Sequence, residues 1–248
     1  TLSELDITDP RSVERAVGRG TEWVINCAAY TAVDEAEARE DLAMEVNGHA
    51  VGRLAERCKA VGAKVIHYST DYVFDGTASK PYAIDHPRNP VSVYGRSKAL
   101  GEELLEESGV EYLLVRSSWL YAPWGKNFVL TIRDLAKSRP VLRVVDDQRG
   151  RPTHSRHLAA ASLQLAERGQ RGVAHVTDGG ECTWFDLATM VAGIVNPDCR
   201  VEPCSSEEFP RPARRPAYSV LDISATEAAL GPMTPWQARV RDVLDDAG

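Results

Sequence analysis

The sequence is poor in the features that mark secreted, membrane or nucleic-acid-binding proteins. It contains no CxxC pair, no apolar run of transmembrane length and no signal-peptide pattern. Its five cysteines are odd in number and scattered, which argues against a disulfide framework and favours a reducing compartment. Acidic residues outnumber basic ones, 36 to 29, so the sequence lacks the positive charge that is typical of nucleic-acid-binding proteins. We therefore expect a cytoplasmic protein without a membrane or nucleic-acid partner.

The sequence also lacks internal repeats, and its 43% hydrophobic and 26% charged residues are ordinary for a globular chain. A chain of 248 residues can form one large α/β domain, or a domain with a smaller lobe, around a substantial core. Cys27 and Cys58 stand in apolar patterns, which predicts that both are small buried side chains.

Strand-like and helix-like segments alternate along most of the chain, which predicts parallel strands joined by helical crossovers. The strand-like segments are Thr21–Ala29, "KVIHYS" at 64–69, Glu111–Tyr121 and Gly172–Asp178. The helix-like segments begin at Pro10 or Arg11 and continue with Glu35–Val61, Ser92–Ser108, Asn127–Ser138 and His157–Arg168. We predict an α/β fold with a doubly wound, parallel, Rossmann-like sheet.

The region beyond about Gly179 has a different pattern, with one helix, a Pro-rich loop and a short terminal helix near 236–244. This predicts a smaller lobe interleaved with the sheet domain. We assign 1–118 and 153–178 to the Rossmann-like domain, and 119–152 and 179–248 to a substrate-binding lobe.

The segment "VIHYSTDYVFDG" begins as a buried strand and turns abruptly polar at Tyr68, followed by Ser69, Thr70 and Asp71. In an open α/β sheet, ligands bind beyond the carboxyl ends of the strands, so these groups should form the floor of a crevice. The same hydroxyls could instead only cap the following helix.

Tyr94 and Lys98 in "VYGRSK" are spaced i, i+4, so they share one face of the predicted helix. A nearby ammonium favours phenolate, so we expect Lys98 to lower the pKa of Tyr94 toward neutrality. Such a tyrosine exchanges a proton with an alcohol or a developing alkoxide, and Thr70 could hydrogen-bond the same oxygen. A YxxxK spacing alone often arises by chance. The combination with a hydroxyl-bearing strand end in an alternating βα chain is far more specific.

These motifs resemble the extended short-chain dehydrogenase/reductases that act on nucleotide sugars, and within them the dTDP-4-dehydrorhamnose reductase group. The resemblance spans nearly the whole chain in family order. It is carried by "NCAAYTAVDEAE", "NGHAVGRLAERC", "VIHYSTDYVFDG", "NPVSVYGRSKALGE", "VRSSWLYAPWGKNFV", "VVDDQRGRPT" and "RPARRPAYSVLD". It implies reduction of the C4 keto group of dTDP-4-dehydro-L-rhamnose to dTDP-L-rhamnose with NADPH or NADH.

The resemblance also implies a role for each matching residue. Tyr94 would be the catalytic acid, Lys98 would tune it and hold the nicotinamide ribose, and Thr70 would polarise the carbonyl. The cofactor residues would be Asp6, Ile7, Ala28, Ala29, Tyr30, Thr31 and Tyr68, together with Tyr94 and Lys98. The substrate residues would be Thr70, Asp71, Tyr94, Trp119, Asn127, Arg214 and Arg215.

The sequence departs from the family pattern in its glycines and in its metal ligands. No GxGxxG occurs, and the Gly-rich βαβ unit that opens the family's chains is missing before "LDITD". We therefore expect this polypeptide to bind NAD(P)H weakly and the working enzyme to be longer at its N-terminus. Some members of the family dimerise around Mg²⁺, but we find no match for that site. We expect no metal, and a monomer or weak homodimer.

Two other functions remain open. The chain could reduce a different 4-keto-6-deoxy nucleotide sugar, because few contacts read sugar stereochemistry. It could also be a non-catalytic partner subunit, as is the regulatory β subunit of methionine adenosyltransferase, which resembles the same family. The intact Thr70, Tyr94 and Lys98 favour an enzyme.

Overall fold

The computed structural model describes residues 5–246, so the outermost residues of the predicted domain ranges lie outside it. A parallel four-stranded sheet forms its centre, in the order β1-β2-β3-β8. These strands are β1 (Trp23–Asn26), β2 (Lys64–Thr70), β3 (Tyr112–Ser117) and β8 (Gly172–His175). The prediction of a parallel α/β sheet is therefore confirmed.

Helices lie on both faces of this sheet and outside it. They are α1 (Pro10–Ala16), α2 (Val33–Ala36), α3 (Glu40–Met44), α4 (Ala50–Val61), α5 (Val93–Ser108), α6 (Phe128–Ser138), α7 (Ser155–Glu167), α8 (Trp184–Val195), α9 (Ser224–Leu230) and α10 (Trp236–Asp246). One apolar cluster packs α1, α4 and α5 on one face of the sheet, and another packs α7 and α9 on the other. None of the helices within residues 5–246 is long and apolar enough to cross a membrane.

A separate apolar cluster lies outside the sheet and is built mainly from α6, α8 and α10. The short strands near it are β4 (Leu120–Tyr121), β5 (Val141–Val145), β6 (Arg149–Gly150), β7 (Thr153–His154), β9 (Cys182–Thr183) and β10 (Arg200–Cys204), paired as β10-β5, β4-β7 and β6-β9. Helix α9 falls inside the predicted range 179–248, but it packs on α7 and the sheet. The exact domain bounds stay a prediction.

Asp178 joins the two parts of the molecule. Its buried carboxylate accepts hydrogen bonds from the Tyr121 hydroxyl at 2.7 Å and from the His154 backbone N–H at 2.9 Å. The other carboxylate oxygen lies 2.7 Å from Nδ1 of His157. Because Tyr121 belongs to the outer cluster and His157 to α7, this single side chain fixes the lobe against the sheet domain.

Local sequence signals explain where several helices begin and end. Asp9 caps α1 by accepting from the Arg11 N–H, and Ser92 caps α5 by accepting from the Gly95 N–H. Gly109 ends α5 in the left-handed conformation, with φ of 66°. The predicted strand Glu111–Tyr121 is split into β3 and β4, because Trp119 has φ of 49°.

The predicted helix Glu35–Val61 is also interrupted. Between α3 and α4 the chain forms a π-helical turn over Glu45–His49, which places Asn47 against α5. The structure also corrects the prediction for Cys27, which is exposed although Cys58 is buried. Cys27 follows directly after the end of β1, which is the edge strand of the sheet within residues 5–246.

Helix α5 lies unusually close to this π-helical turn. A Cβ added at Gly101 would come within 2.1 Å of the Asn47 carbonyl oxygen. Gly193 in α8 is also helical, but a Cβ there would meet nothing within 4 Å.

We expect Gly101→Ala to lower the free energy of unfolding by about 1–3 kcal/mol, because the added methyl forces two packed backbones apart. The matched change Gly193→Ala should instead raise it by about 0.5–1 kcal/mol through helix propensity alone. Urea denaturation of both variants measures the contrast. Equal effects at the two positions would show that the close approach of α5 does not matter for stability.

A buried ion pair fastens α5 to β3. Glu102 and Arg116 are almost fully buried, and Arg116 Nη2 lies 2.7 Å from Glu102 Oε2. Burial raises the pKa of Glu102, but the Arg116 guanidinium more than offsets this, so the net pKa is lowered. Arg88 adds a second guanidinium at 3.0 Å.

We expect Arg116→Met to lower the free energy of unfolding by about 3–5 kcal/mol, because it leaves the Glu102 carboxylate buried with one partner fewer. The exposed pair between Arg39 and Glu35 provides a control, and Arg39→Ala should cost only about 0–1 kcal/mol. Urea denaturation at neutral pH compares the two variants. A loss of stability for Arg116→Met no larger than for Arg39→Ala would contradict this assignment.

Candidate active site

The carboxyl end of β2 delivers Thr70 and Asp71 to the crevice that the sequence predicts. Thr70 is the last residue of β2 and caps a short 3₁₀ helix over Asp71–Val73. Its hydroxyl accepts from the Tyr72 N–H at 3.2 Å and donates to Asp71 Oδ1 at 3.0 Å. The Thr70 hydroxyl therefore does cap the following helix, as the alternative interpretation predicted. Capping keeps its oxygen at the carboxyl end of β2.

The first turn of α5 brings Tyr94 to the same strand end. Gly95 permits this approach, because a Cβ at that position would lie 2.3 Å from the Tyr72 carbonyl oxygen. The Tyr94 ring meets the Tyr72 ring edge-on with centroids 5.8 Å apart, and Tyr94 lies close enough to the Thr70 side chain for that side chain to affect its pKa. Two side chains from elements far apart in sequence thus lie next to each other.

The pKa of Tyr94 is raised to about 12, which contradicts the expectation that it is lowered toward neutrality. Burial disfavours the phenolate and the nearby Asp71 carboxylate disfavours it further, while the Thr70 hydrogen bond only partly opposes them. Tyr94 is therefore a neutral phenol at physiological pH. This is the protonation state that a proton donor needs.

Lys98 lies one turn further along α5 but is directed away from the phenol. Its ammonium nitrogen donates to the Tyr68 carbonyl oxygen at 2.6 Å and lies 3.3 Å from His67 Nε2. Burial lowers the pKa of Lys98 to about 8, opposed by the negative charge of Glu102. Its effect on Tyr94 is correspondingly weak in this structure.

Asp71 is a second buried group with an altered pKa. Only 2% of its surface is exposed, and burial raises its pKa to about 6, although hydrogen bonds from neighbouring hydroxyls oppose the shift. A carboxyl group with this pKa, next to a phenol with a raised pKa, is typical of a proton-handling site.

Five of the predicted cofactor residues line one cavity beside β1. They are Asp6, Ile7, Ala28, Ala29 and Tyr30, around a volume of about 700 Å³. Leu5, Val24 and Val46 give the cavity an apolar wall. Asp6 accepts two hydrogen bonds from Thr8, which lower the pKa of its carboxyl group. An apolar wall beside backbone amides and a carboxylate fits an adenosine or nicotinamide moiety. Thr31 is exposed and does not line this cavity.

Asn47 holds the loop after β1 in place. Its side chain accepts from the Tyr30 N–H at 2.8 Å and donates to the Tyr30 carbonyl oxygen at 3.0 Å. It also donates to the Ser97 hydroxyl at 2.9 Å, which ties this loop to α5. Asn47 therefore links the loop after β1 to the helix that carries Tyr94 and Lys98.

Tyr68 contributes to the site through its backbone. Its side chain packs on the sheet face that α7 covers, where burial raises its pKa. Its carbonyl oxygen holds Lys98. A contact between its ring and the cofactor stays a prediction.

Trp119 has its ring stacked on Trp184, with centroids 3.6 Å apart and planes 9° apart. Gly150 allows the ring to lie there, because a Cβ at 150 would approach the indole to 2.6 Å. A non-glycine residue with positive φ is strained, and such strain often accompanies binding sites. Stacking of a sugar or base on Trp119 stays a prediction.

Asn127 stabilises the beginning of α6. Its side chain caps α6 by accepting from the Leu130 N–H at 3.1 Å, and its amide donates to the Ala122 and Trp124 carbonyl oxygens. These contacts use both ends of the side chain. Its predicted contact with dTDP would require the cap to rearrange.

The two arginines of "RPARRP" have different environments. Arg215 forms a two-pronged ion pair with Asp34, with both nitrogen–oxygen distances at 2.9 Å. Arg214 is exposed and lines a cavity of about 570 Å³ together with Arg211 and Gln148. Arg214 is therefore free to reach an anionic ligand, whereas Arg215 fastens the loop to the sheet domain.

Three contributors, Asn26, Asn47 and His67, were not found by sequence reasoning. Polar residues inside the apolar segments "VIN" and "VIHYS" were an available signal, since buried polar groups need partners. Asn47 and Gly48 inside a helical pattern were another. Within residues 5–246, no group of three or more potential ligand side chains is placed to hold a metal ion.

Known proteins match the chain over almost its entire length. The family model of the RmlD substrate binding domain matches residues 1–248. A dTDP-4-dehydrorhamnose reductase of Streptomyces griseus is 43% identical over 250 residues, covering 96% of this chain and 81% of the relative. A dTDP-4-keto-6-deoxy-D-glucose reductase of Streptomyces niveus is 41% identical, covering 95% of this chain and 83% of the relative.

Solved structures agree with these matches. A Bacillus anthracis dTDP-4-dehydrorhamnose reductase in complex with NADP superposes with a TM-score of 0.94 at 35% identity, covering 99% of this chain and 88% of that one. The fold and the sequence therefore lead to the same relatives, and the chain belongs to the RmlD substrate binding domain family.

Proposed function

We propose that this protein is an NAD(P)H-dependent reductase that converts the C4 keto group of dTDP-4-dehydro-L-rhamnose to the alcohol of dTDP-L-rhamnose. The carrying observation is that Thr70 and Tyr94 lie next to each other, beside the buried Asp71, at the carboxyl end of β2. The relatives named for this reaction, and the NADP bound to the Bacillus anthracis relative, support the same reaction.

The chain's own residues account for the proton side of the reaction. A substrate carbonyl oxygen placed between the two hydroxyls would accept a hydrogen bond from Tyr94, and from Thr70 once its O–H turns from Asp71 to the substrate, which polarises the carbonyl. Tyr94, a neutral phenol at physiological pH, then donates its proton to the developing alkoxide. A bound reduced nicotinamide supplies the hydride. The residues that would hold it are those lining the cavity beside β1, together with Lys98.

The same geometry weighs against a purely regulatory role. A scaffold protein has no need for a phenol, a hydroxyl and a carboxyl group buried at one point, where their desolvation is costly. Arg214, exposed beside the cavity that Arg211 and Gln148 share, is suited to the diphosphate of the nucleotide sugar. Trp119, Asn127 and Arg215 complete the proposed substrate contacts.

The sister substrate dTDP-4-keto-6-deoxy-D-glucose is the second candidate, because the Streptomyces niveus relative is named for it. Parallel assays of NADPH oxidation with each sugar nucleotide separate the two. A larger kcat/KM for dTDP-4-dehydro-L-rhamnose is expected, and a preference for the other sugar would replace the first candidate. No oxidation with either would refute the proposed function.

We further propose a cytoplasmic monomer or weak homodimer. All five cysteines are free thiols, which fits a reducing compartment. Sedimentation velocity over a range of concentrations measures the oligomeric state.

We expect Tyr94→Phe to lower kcat by about 100-fold or more, because it removes the proton donor while keeping the ring. KM for the sugar nucleotide should change little. The matched control Tyr112→Phe removes a hydroxyl from β3, away from the site, and should keep kcat within a few-fold. Near-normal turnover of Tyr94→Phe would exclude Tyr94 as the acid.

We expect Thr70→Val to lower kcat by about 10- to 100-fold, because the isosteric side chain cannot hydrogen-bond the carbonyl oxygen or Tyr94. Thr70→Ser keeps the hydroxyl and should recover most of the activity. Steady-state kinetics of the pair measure the hydroxyl's contribution. If both variants lose the same activity, packing rather than hydrogen bonding explains the role of Thr70.

A further inference from the structure

A buried imidazole lies between the cavity beside β1 and the lysine of the site. His67 is fully buried in β2. Its Nδ1 lies 3.1 Å from the Asn26 side-chain amide nitrogen, and its Nε2 lies 3.3 Å from Lys98 Nζ. Neither Asn26 nor His67 has a part in the proton transfer proposed above.

The backbone N–H of Ala28 determines which way the Asn26 amide is oriented. Asn26 Oδ1 accepts from this N–H at 3.1 Å, and the reverse orientation would bring two donors together. The Asn26 amide nitrogen must therefore face His67 and donate to Nδ1. Burial alone favours the neutral form of His67 and holds its pKa well below the usual range, so the ring is neutral. A neutral ring that accepts at Nδ1 carries its proton on Nε2.

The Nε2–H bond then points at Lys98. An ammonium group has three donors and no lone pair, so it cannot accept this hydrogen bond. A neutral amine can accept it while still donating to the Tyr68 carbonyl oxygen, which lies 2.6 Å away. The local hydrogen-bonding pattern is complete only when Lys98 is uncharged.

We propose that Asn26 and His67 are positioning residues that set the charge of Lys98, by fixing the His67 tautomer with its proton on Nε2. This inference rests on the proposed function only in its consequence, since the Lys98 charge would set the upper pH limit of turnover. The tautomer itself is independent of any substrate.

The other charged groups around Lys98 do not overturn this arrangement. Glu102 on the same helix favours the ammonium, but its carboxylate is paired with Arg116 of β3 at 2.7 Å and with Arg88 at 3.0 Å. Tyr94, one turn earlier, is a neutral phenol. The element facing the Lys98 nitrogen directly is β2, through His67 and the Tyr68 carbonyl oxygen.

Nuclear magnetic resonance tests the tautomer directly. The chain has six histidines, so ¹⁵N-labelled imidazoles give few signals, and His67→Gln identifies the one from His67. We expect an unprotonated Nδ1 and a protonated Nε2 throughout the neutral range. In ¹³C-labelled lysine samples, with Lys98→Arg for assignment, Lys98 should titrate about two pH units below the exposed lysines. Protonation of His67 at Nδ1, or a Lys98 midpoint equal to those of the exposed lysines, would overturn the proposal.

Asn26→Asp reverses the pattern with little change of shape. The carboxylate still accepts from Ala28 and can only accept from His67, so the proton should move to Nδ1. Nε2 then offers its lone pair to the Lys98 ammonium, and the Lys98 midpoint should rise by about one pH unit or more. Asn47→Asp adds a buried carboxylate in the π-helical turn, beside the loop that follows Asn26, and serves as the charge control. It should leave the His67 proton on Nε2.

The two proposals fail separately. If the reductase is inactive but His67 carries its proton on Nε2, only the proposed function is refuted.

If Asn47→Asp raises the Lys98 midpoint as much as Asn26→Asp, without moving the proton, charge rather than the tautomer controls Lys98. If Asn26→Asp does not fold, the tautomer of the unsubstituted chain still decides the question. In an active enzyme, Asn26→Asp should move the high-pH limb of kcat upward by the same shift as Lys98.

Discussion

The close packing of α5 against the sheet and the π-helical turn is the constraint on which the site depends. Gly95 and Gly101 remove the side chains that would keep this helix at a normal distance. Glu102 then pairs with Arg116 of β3, and Ser97 accepts from Asn47, so the helix is held at points along its length. Because Tyr94 and Lys98 lie on this helix, these contacts also fix their positions.

Burial is the second consequence of that packing, and it explains the electrostatics. Lys98 and Asp71 are buried and Tyr94 is partly buried, so desolvation shifts the pKa of each toward the value that favours its neutral form. The site thus holds a phenol, an amine and a carboxyl group that are each less charged than they would be in water. Such a site can accept an anionic nucleotide sugar without adding a strongly charged neighbour to the reacting carbonyl.

The two parts of the molecule are fixed to each other by charged side chains with several partners each. Asp178 joins Tyr121 of the outer cluster to α7, and Asp34 joins α2 to Arg215, which follows β10 in the chain. Arg214, which lines one cavity, lies late in the chain. Thr70 and Tyr94, the proposed catalytic residues, come from its first half. A substrate bridging the two would complete a site that neither part forms alone.

Sequence patterns alone predict the alternation of strands and helices, the polar end of β2, and the shared helix face of Tyr94 and Lys98. These features follow from local patterns, because side-chain periodicity and caps act within a few residues. The sequence also identified Trp119 and "RPARRP" as unusual, through a family resemblance rather than a physical argument.

The contacts that these side chains make depend on the tertiary fold and could not be predicted from the sequence. The spacing of Tyr94 and Lys98 wrongly predicted a lowered tyrosine pKa, because burial and Asp71 raise it and Lys98 is directed to His67 and Tyr68. Asn127 and Arg215 are held by partners within the chain, the latter 181 residues away at Asp34. Desolvation and pairing depend on which distant segments meet, and this is information that no local pattern contains.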